Sequence, residues 1–352
     1  MIKNSHLPFT THILRKQYDY EETEYRMELT DLLPATYRTV TDDLETPCAH
    51  NLNSFLSSEL LVKRLNAIQP WLWVCGRPMP PRALHRQLVM SRSIVVTEEI
   101  DMHMVWLQNR IFIKPLPAYL LDPDFWTAHL FADTSSHRSE VNSKEYHVEQ
   151  PMSVETYEDI IGCARGFLFS YTALIAHESD FVIACQNGLL PSSVSWTGWK
   201  KLCSQVLASH RYSAVNPRYW YGELRLSRLN MVYALRKGSI LRGYSSIGAP
   251  TSYNEFFRSN FAALITVLGY VVIVLTAMQT GLATDRLQQD DAFEHASYGF
   301  VVFSIIAPLG AIFGLIVVML CVLAQNWAAT KAYEARRFHH LGIEPPWRAR
   351  KI

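Results

Sequence analysis

The chain has 352 residues, of which 49% are hydrophobic and 18% charged, with a formal net charge of +1. That length holds one large domain or two ordinary ones. The near-neutral balance excludes a protein that coats nucleic acid, because neutralising phosphates requires an uncompensated excess of Lys and Arg.

Residues 1–51 are mixed and polar, with an acidic stretch at 18–25, and are expected to be irregular and to wrap or extend from the domain. They carry Lys3 but no apolar run of a signal peptide, so the N-terminal region is expected to stay on the cytosolic side. From residue 52 the pattern is that of a mainly α domain with a small antiparallel β-sheet, an α+β unit reaching about residue 250. Leu56, Leu60, Leu61, Leu65 and Ile68 recur at helical spacing behind Asn53 or Ser54, and Pro70 ends that helix. Residues 76–81 (GRPMPP) form a rigid turn. Strand-like runs occupy 94–96, 102–107 and 110–114, with Gln108-Asn109 as a tight hairpin connection. Pro115 and Pro117 end the sheet, and Asp122-Pro123 opens a short helix with Phe125 and Trp126 inward.

Residues 133–150 turn polar and read as an exposed loop. Ile160, Ile161, Ala164, Phe167, Leu168, Tyr171, Leu174 and Ile175 then describe a broad apolar helical face. Its apolar stretch at 166–176 is too short to span a bilayer and reads as a core helix. Gly188 and Pro191 end that region, and Ser195 caps a helix over 196–208. Asn216-Pro217 opens a helix to about Lys237, with Leu226, Leu229 and Tyr233 on one face and Arg225, Arg228 and Arg236 among its charges. Two roles fit those arginines: contact with anionic headgroups, or a solvated face with salt bridges to Glu223 and others. Gly238, Gly243, Gly248 and Pro250 then break the helix, which predicts a flexible joint to the C-terminal hundred residues.

Residues 251–330 form a membrane domain. The uncharged apolar runs at 261–283 and 300–323 each exceed the roughly 20 residues that a helix needs to cross a hydrocarbon core of about 30 Å. Arg236, Lys237, Arg242 and Arg258 precede the first run, and Lys331, Arg336, Arg337, Arg348, Arg350 and Lys351 follow the second. The loop between them carries only Arg286 among Asp285, Asp290, Asp291 and Glu294. By the positive-inside rule both termini, including a basic tail at 331–352, face the cytoplasm. Pro308 should kink the second span, with Ser304 one turn earlier helping to satisfy freed backbone groups. Gly310 and Gly314 form a G-x-x-x-G pair suited to packing of the two spans or to self-association. Neither run contains an ionisable residue, which weakens a pump or carrier.

The search for chemistry yields no catalytic, cofactor-binding or metal-binding assignment. Cys48, Cys75, Cys163, Cys185, Cys203 and Cys321 are scattered, form no Cys-x-x-Cys, and read as reduced thiols. His177, Glu178, Ser179 and Asp180 are the residue types of a hydrolase triad, but neighbours on one helix cannot converge as nucleophile, base and orienter. Glu99, Asp101 and His103 would share a strand face and could hold a metal, although the solvated face of a sheet is the simpler reading. No phosphate-binding P-loop or dinucleotide fingerprint occurs.

The runs LHRQL (84–88), IVVTE (94–98), GFLFSYTALIAHESD (166–180), YGELRLSRLN (221–230), TAMQTGLAT (276–284) and ASYGFVVFS (296–304) resemble an uncharacterised family of filamentous-fungal membrane proteins. That resemblance implies a cytosolic domain with two C-terminal spans and carries no activity. The layout is also distantly similar to CorA-type magnesium channels, but Met278-Gln-Thr-Gly stands where those proteins carry Gly-Met-Asn. The expectation is therefore a membrane-anchored interaction or accessory protein, in contact with the bilayer and an unidentified cytosolic partner. An oligomeric cation channel is the alternative, and an enzyme with an unrecognised site is a third.

Overall fold

The computed structural model describes residues 7–14, 28–39, 41–131, 154–237, 244, 253–284 and 289–342. The chain divides into two compact units, Met1–Gly248 and Ala249–Ile352.

In the first unit, residues 7–14 belong to the core. Phe9 and Ile13 are buried, Phe9 lies edge-on to Trp126, and the Thr10 N–H donates to Gln205 Oε1 at 2.8 Å. A single helical turn, α1 (Leu29–Leu32), precedes the two-stranded antiparallel pair β1 (Tyr37–Arg38) and β2 (Leu44–Glu45). The predicted first long helix exists in two pieces, α2 (Leu52–Leu60) and α3 (Lys63–Asn66), with Leu61 in extended conformation between them. The break has a packing reason. Leu60, Leu61 and Val62 are all buried, and the extended Leu61 redirects the chain so that Leu65 of the second piece and Ile68 just after it are buried as well. Asn51 precedes α2, but its carboxamide oxygen accepts the Cys48 N–H and makes no cap bond to the helix.

The short helices α4 (Leu72–Cys75) and α5 (Leu84–Val89) lead into the larger sheet, made of β3 (Ser93–Val96), β4 (Val105–Leu107), β5 (Arg110–Ile113) and β6 (Leu224–Arg225). Its order is β3-β5-β4-β6, and it is mixed. Only the β4–β5 hairpin is antiparallel, closed by Gln108 at φ 50°, while β3 and β6 dock parallel on its two edges. Asp122 caps α6 (Pro123–Phe125) by accepting the Asp124 N–H, and Phe125 and Trp126 point inward as expected. The loop expected at 133–150 lies outside the described residues.

The central helix α7 (Val154–Leu174) buries Ile160, Ala164, Phe167, Leu168, Tyr171 and Leu174. It turns through 115° into α8 (Glu178–Gln186), and the buried face of α7 makes it a core helix. Gly188, at φ 65°, ends the α8 region, and the Ser195 hydroxyl caps α9 (Trp196–Ser209).

The helix expected from Pro217 is a correction. Pro217–Trp220 is a 3-10 turn, the chain then straightens into β6, and α10 spans only Leu226–Lys237. Two close approaches enforce the detour. The Tyr219 ring packs on the α7 backbone, so that a Cβ on Gly166 would lie 2.2 Å from it. The Gly222 N–H donates to Met79 O at 2.8 Å, with Pro81 N only 2.4 Å from where a Cβ would stand.

The second unit is a pair of helices, α11 (Tyr253–Leu282) and α12 (Asp291–Leu341), both long and apolar enough to cross a membrane. Their large apolar side chains are exposed, among them Ile265, Ile273, Ile305, Leu309 and Phe313, a surface suited to lipid and not to water. Thr276 and Thr280 return their hydroxyls to the carbonyls four residues earlier, which removes free donors from the span. Asp290 caps α12, which continues through Pro308 and ends at Gly342 in the left-handed conformation. The Ser304 hydroxyl donates to Val301 O at 2.7 Å, so it does not serve the carbonyl that Pro308 leaves free. Among the described residues, a Cβ at Gly310 or Gly314 would meet no atom of another element within 4 Å. Much of the expected basic tail is helix, as α12 carries Lys331, Arg336 and Arg337.

Candidate functional site

The sheet expectation placed Glu99, Asp101 and His103 on one face, and the structure separates them. Residues 100–102 form a 3-10 turn, Glu99 is exposed, Asp101 half-buried and His103 buried. His103 Nδ1 accepts the Lys114 N–H, which leaves Nε2 to donate to Ser170 Oγ at 2.8 Å; that hydroxyl donates onward to Phe167 O. Burial, reinforced by Arg218 and Lys114, holds the imidazole pKa well below its usual value, so it is neutral. Buried Arg218 donates to His103 O and Tyr221 O, and buried Lys114 reaches Glu59 Oε2 at 2.6 Å. These groups are saturated by the fold, which makes them structural.

His177 to Asp180 also separate into distinct roles. Asp180 is fully buried at the start of α8, where its Oδ2 accepts the His177 N–H. Its Oδ1 accepts both the His85 N–H at 2.7 Å and His85 Nδ1 at 2.8 Å. One carboxylate thus serves the N-terminal ends of α5 and α8 together, where helix dipoles favour an anion. The pair of His85 and Asp180, 95 residues apart, is a convergence that no local pattern displayed.

A further convergence joins His12, Asp122 and Asp124, whose ligand atoms lie within 4.8 Å of one another and could hold a metal ion. The two aspartates border an open cavity of about 440 Å³ that Glu28 and His129 also line. Asp122 is already engaged as the cap of α6, and His12 is largely exposed.

The arginines of α10 settle differently from the salt-bridge expectation. Glu223 is taken by Arg92, whose Nη1 lies 2.7 Å from Oε2, and by Gln87 and the Arg82 N–H. Arg225 and Arg92 both lie over the Trp106 ring, with guanidinium carbons 5.2 and 4.1 Å from its centroid. Arg228 donates to Val74 O, and Arg236 stacks on Trp71 at 3.8 Å. Among the described residues, none of the three α10-side arginines pairs with a carboxylate. Around them Trp73, Met231 and Leu235 are 62%, 51% and 76% exposed.

Beside this face, Tyr244 is fully buried although it stands within the glycine-rich joint. Its N–H donates to Asn230 Oδ1, its hydroxyl donates to Asp101 O, and the Arg64 guanidinium lies 4.7 Å over its ring. The flexible joint expected at Gly238, Gly243, Gly248 and Pro250 lies outside the described residues, whereas Tyr244, between Gly243 and Gly248, is fixed to the domain. The carboxyl of Asp101 next to it has its pKa raised to about 6 by burial, against the pull of Arg64 and Arg218.

The sequence family described as a family of unknown function, DUF6601, matches residues 52–308. The chain belongs to that family. No curated protein and no solved structure matches it. The DUF6601 region runs from the first residue of α2 to Pro308 inside α12, so it takes in the domain from α2 onward, Tyr244, all of α11 and the first part of α12. Phe9, Ile13 and His12 lie before it.

Proposed function

We propose that this DUF6601 member is a membrane-anchored accessory protein that works at the cytosolic face through a partner bound by its folded domain. The observation that carries this reading is the pair α11 and α12, which present apolar side chains outward, with no Asp, Glu, Lys, Arg or His in the bilayer-length runs 261–283 and 300–323. Exposed Tyr298 and Trp327 stand 29 residues apart on α12, about 44 Å of helix, which suits aromatic side chains at the two interfaces of a bilayer about 40–45 Å thick with its headgroups. Basic residues cluster outside the hairpin and acidic ones in its loop, which supports cytosolic termini. Chain–chain contact in the membrane falls to Gly310 and Gly314, where an added Cβ would meet no other element within 4 Å among the described residues.

Two measurements test the reading. Retention in membranes after alkaline carbonate extraction, with both termini digested by protease from the cytosolic side and the loop at 285–290 protected, is the expected result. A chain that washes off, or a protected domain, overturns it. Reconstitution into liposomes with a divalent-cation flux assay addresses the channel alternative: no flux is expected, and selective flux would replace the accessory role with conduction.

A further inference from the structure

Two stretches of the sequence contain no carboxylate, and α4 of the first and α10 of the second lie on the same domain. Between Leu60 and Thr97 there is no Asp or Glu, but Lys63, Arg64, Arg77, Arg82, Arg86 and Arg92 occur; between Leu224 and Asn254 there is again none, with Arg225, Arg228, Arg236, Lys237 and Arg242. The fold lays these stretches side by side. Arg228 bonds Val74 O and Arg236 stacks on Trp71, which sets α10 alongside α4, and Gly76 of the first stretch bridges Leu224 at the start of the second. The acid nearest in sequence, Glu223, is spent on Arg92 and Arg82.

We propose that this face of α4 and α10 lies on the anionic lipid headgroups of the membrane in which the chain is anchored, a reading that rests on the membrane-anchored function above. Three features select that occupant. The first is charge: arginines without carboxylate partners face outward, complementary to the phosphates and carboxylates of an anionic leaflet. The second is composition: Trp73, Met231 and Leu235 stand exposed among those arginines, the mixture with which interfacial helices enter the boundary between headgroups and acyl chains. The third is reach. Tyr244 is fixed in the domain beside Tyr233 of α10, and the nine steps from Tyr244 to Tyr253, where α11 begins, extend at most about 30 Å. A face held on so short a tether to a membrane helix meets headgroups at high effective concentration.

The test uses the full chain in lipid nanodiscs with and without phosphatidylserine, following hydrogen exchange in peptides that cover 69–77 and 226–237. With phosphatidylserine, exchange there slows about tenfold or more, the effect of two arginines at headgroups, and the slowing is lost at high salt. Leu235→Glu and Met231→Glu, both at exposed positions, abolish the slowing without changing exchange in the α7 core, which serves as the folding control. Exchange that is the same in neutral and anionic discs, with the chain still embedded, overturns this inference and leaves the anchored reading intact. Loss of the chain from the discs fails the anchored reading itself. Equal protection in detergent accompanied by doubled mass assigns the face to a second copy and also overturns the lipid proposal.

Discussion

The Tyr244 hydroxyl donates to the backbone carbonyl of Asp101 at 2.6 Å, across 143 residues of sequence. This contact fixes Tyr244, in the segment between α10 and α11, to the 3-10 turn at 100–102. Tyr244→Phe keeps the ring and loses one hydrogen bond, an expected cost of about 1 kcal/mol. Tyr244→Ala also empties a fully enclosed ring site and should cost about 3–5 kcal/mol, on the scale of other aromatic truncations. Thermal unfolding of the domain reads both, and limited proteolysis between 238 and 252 should accelerate for the alanine variant alone.

Asp101 gives the domain a pH dependence opposite to the common carboxylate case. Its pKa is raised by burial to about 6, so between its unfolded value near 4 and about 6 the folded state binds more protons than the unfolded one. The contribution of this group to stability is therefore greatest below pH 4 and is lost as pH rises through about 6, by roughly 2–3 kcal/mol. Asp101→Asn removes that slope and should raise stability at neutral pH. Denaturation midpoints measured at several pH values for both proteins check the sign.

Glu223 holds Arg92 and Arg82 at the edge of the sheet. Glu223→Ala strands the buried Arg92 guanidinium over Trp106 and should destabilise by about 3–5 kcal/mol. Replacing both members, Arg92→Met with Glu223→Leu, should recover much of that loss, since no buried charge is then left alone. A double-mutant cycle by chemical denaturation decides whether the pair acts as a unit.

Glycines provide an internal contrast. Gly222→Ala sets a methyl 2.4 Å from Pro81 N and should cost about 1–3 kcal/mol through overpacking. A Cβ at Gly310 or Gly314 meets no other element within 4 Å among the described residues, so Gly310→Ile and Gly314→Ile should leave unfolding and membrane retention unchanged. If chain–chain contact runs through those glycines, native mass in mild detergent falls in both isoleucine variants.

The sequence made some of this structure readable and hid the rest for identifiable reasons. The apolar period of α7, the Ser195 cap, the Gln108-Asn109 hairpin and the two bilayer-length runs are local signals, and each is found. The break between Leu60 and Lys63 was missed because the period of apolar residues continues across it. The strand at Leu224–Arg225 was missed because Asn216-Pro217 resembles a helix start, whereas the packing of Tyr219 on Gly166 and of Gly222 on Met79 decides the path. Burial of Tyr244 could not be read from its glycine-rich neighbours. The pairs His85–Asp180 and His12–Asp122 join residues about a hundred positions apart, and no spacing rule detects such contacts.

Helix α12 runs 51 residues without interruption, about 76 Å, which is far longer than a hydrocarbon core of about 30 Å requires. A continuous helix behaves as a lever pivoting in the bilayer. From the middle of the apolar run to Gly342 is about 45 Å, so a change of tilt of about 10°, of the kind that bilayer thickness imposes, carries Gly342 sideways by about 8 Å. Lys331, Arg336 and Arg337 travel with it. The second span can thereby convert the thickness of its membrane into the position of a charged surface beyond it.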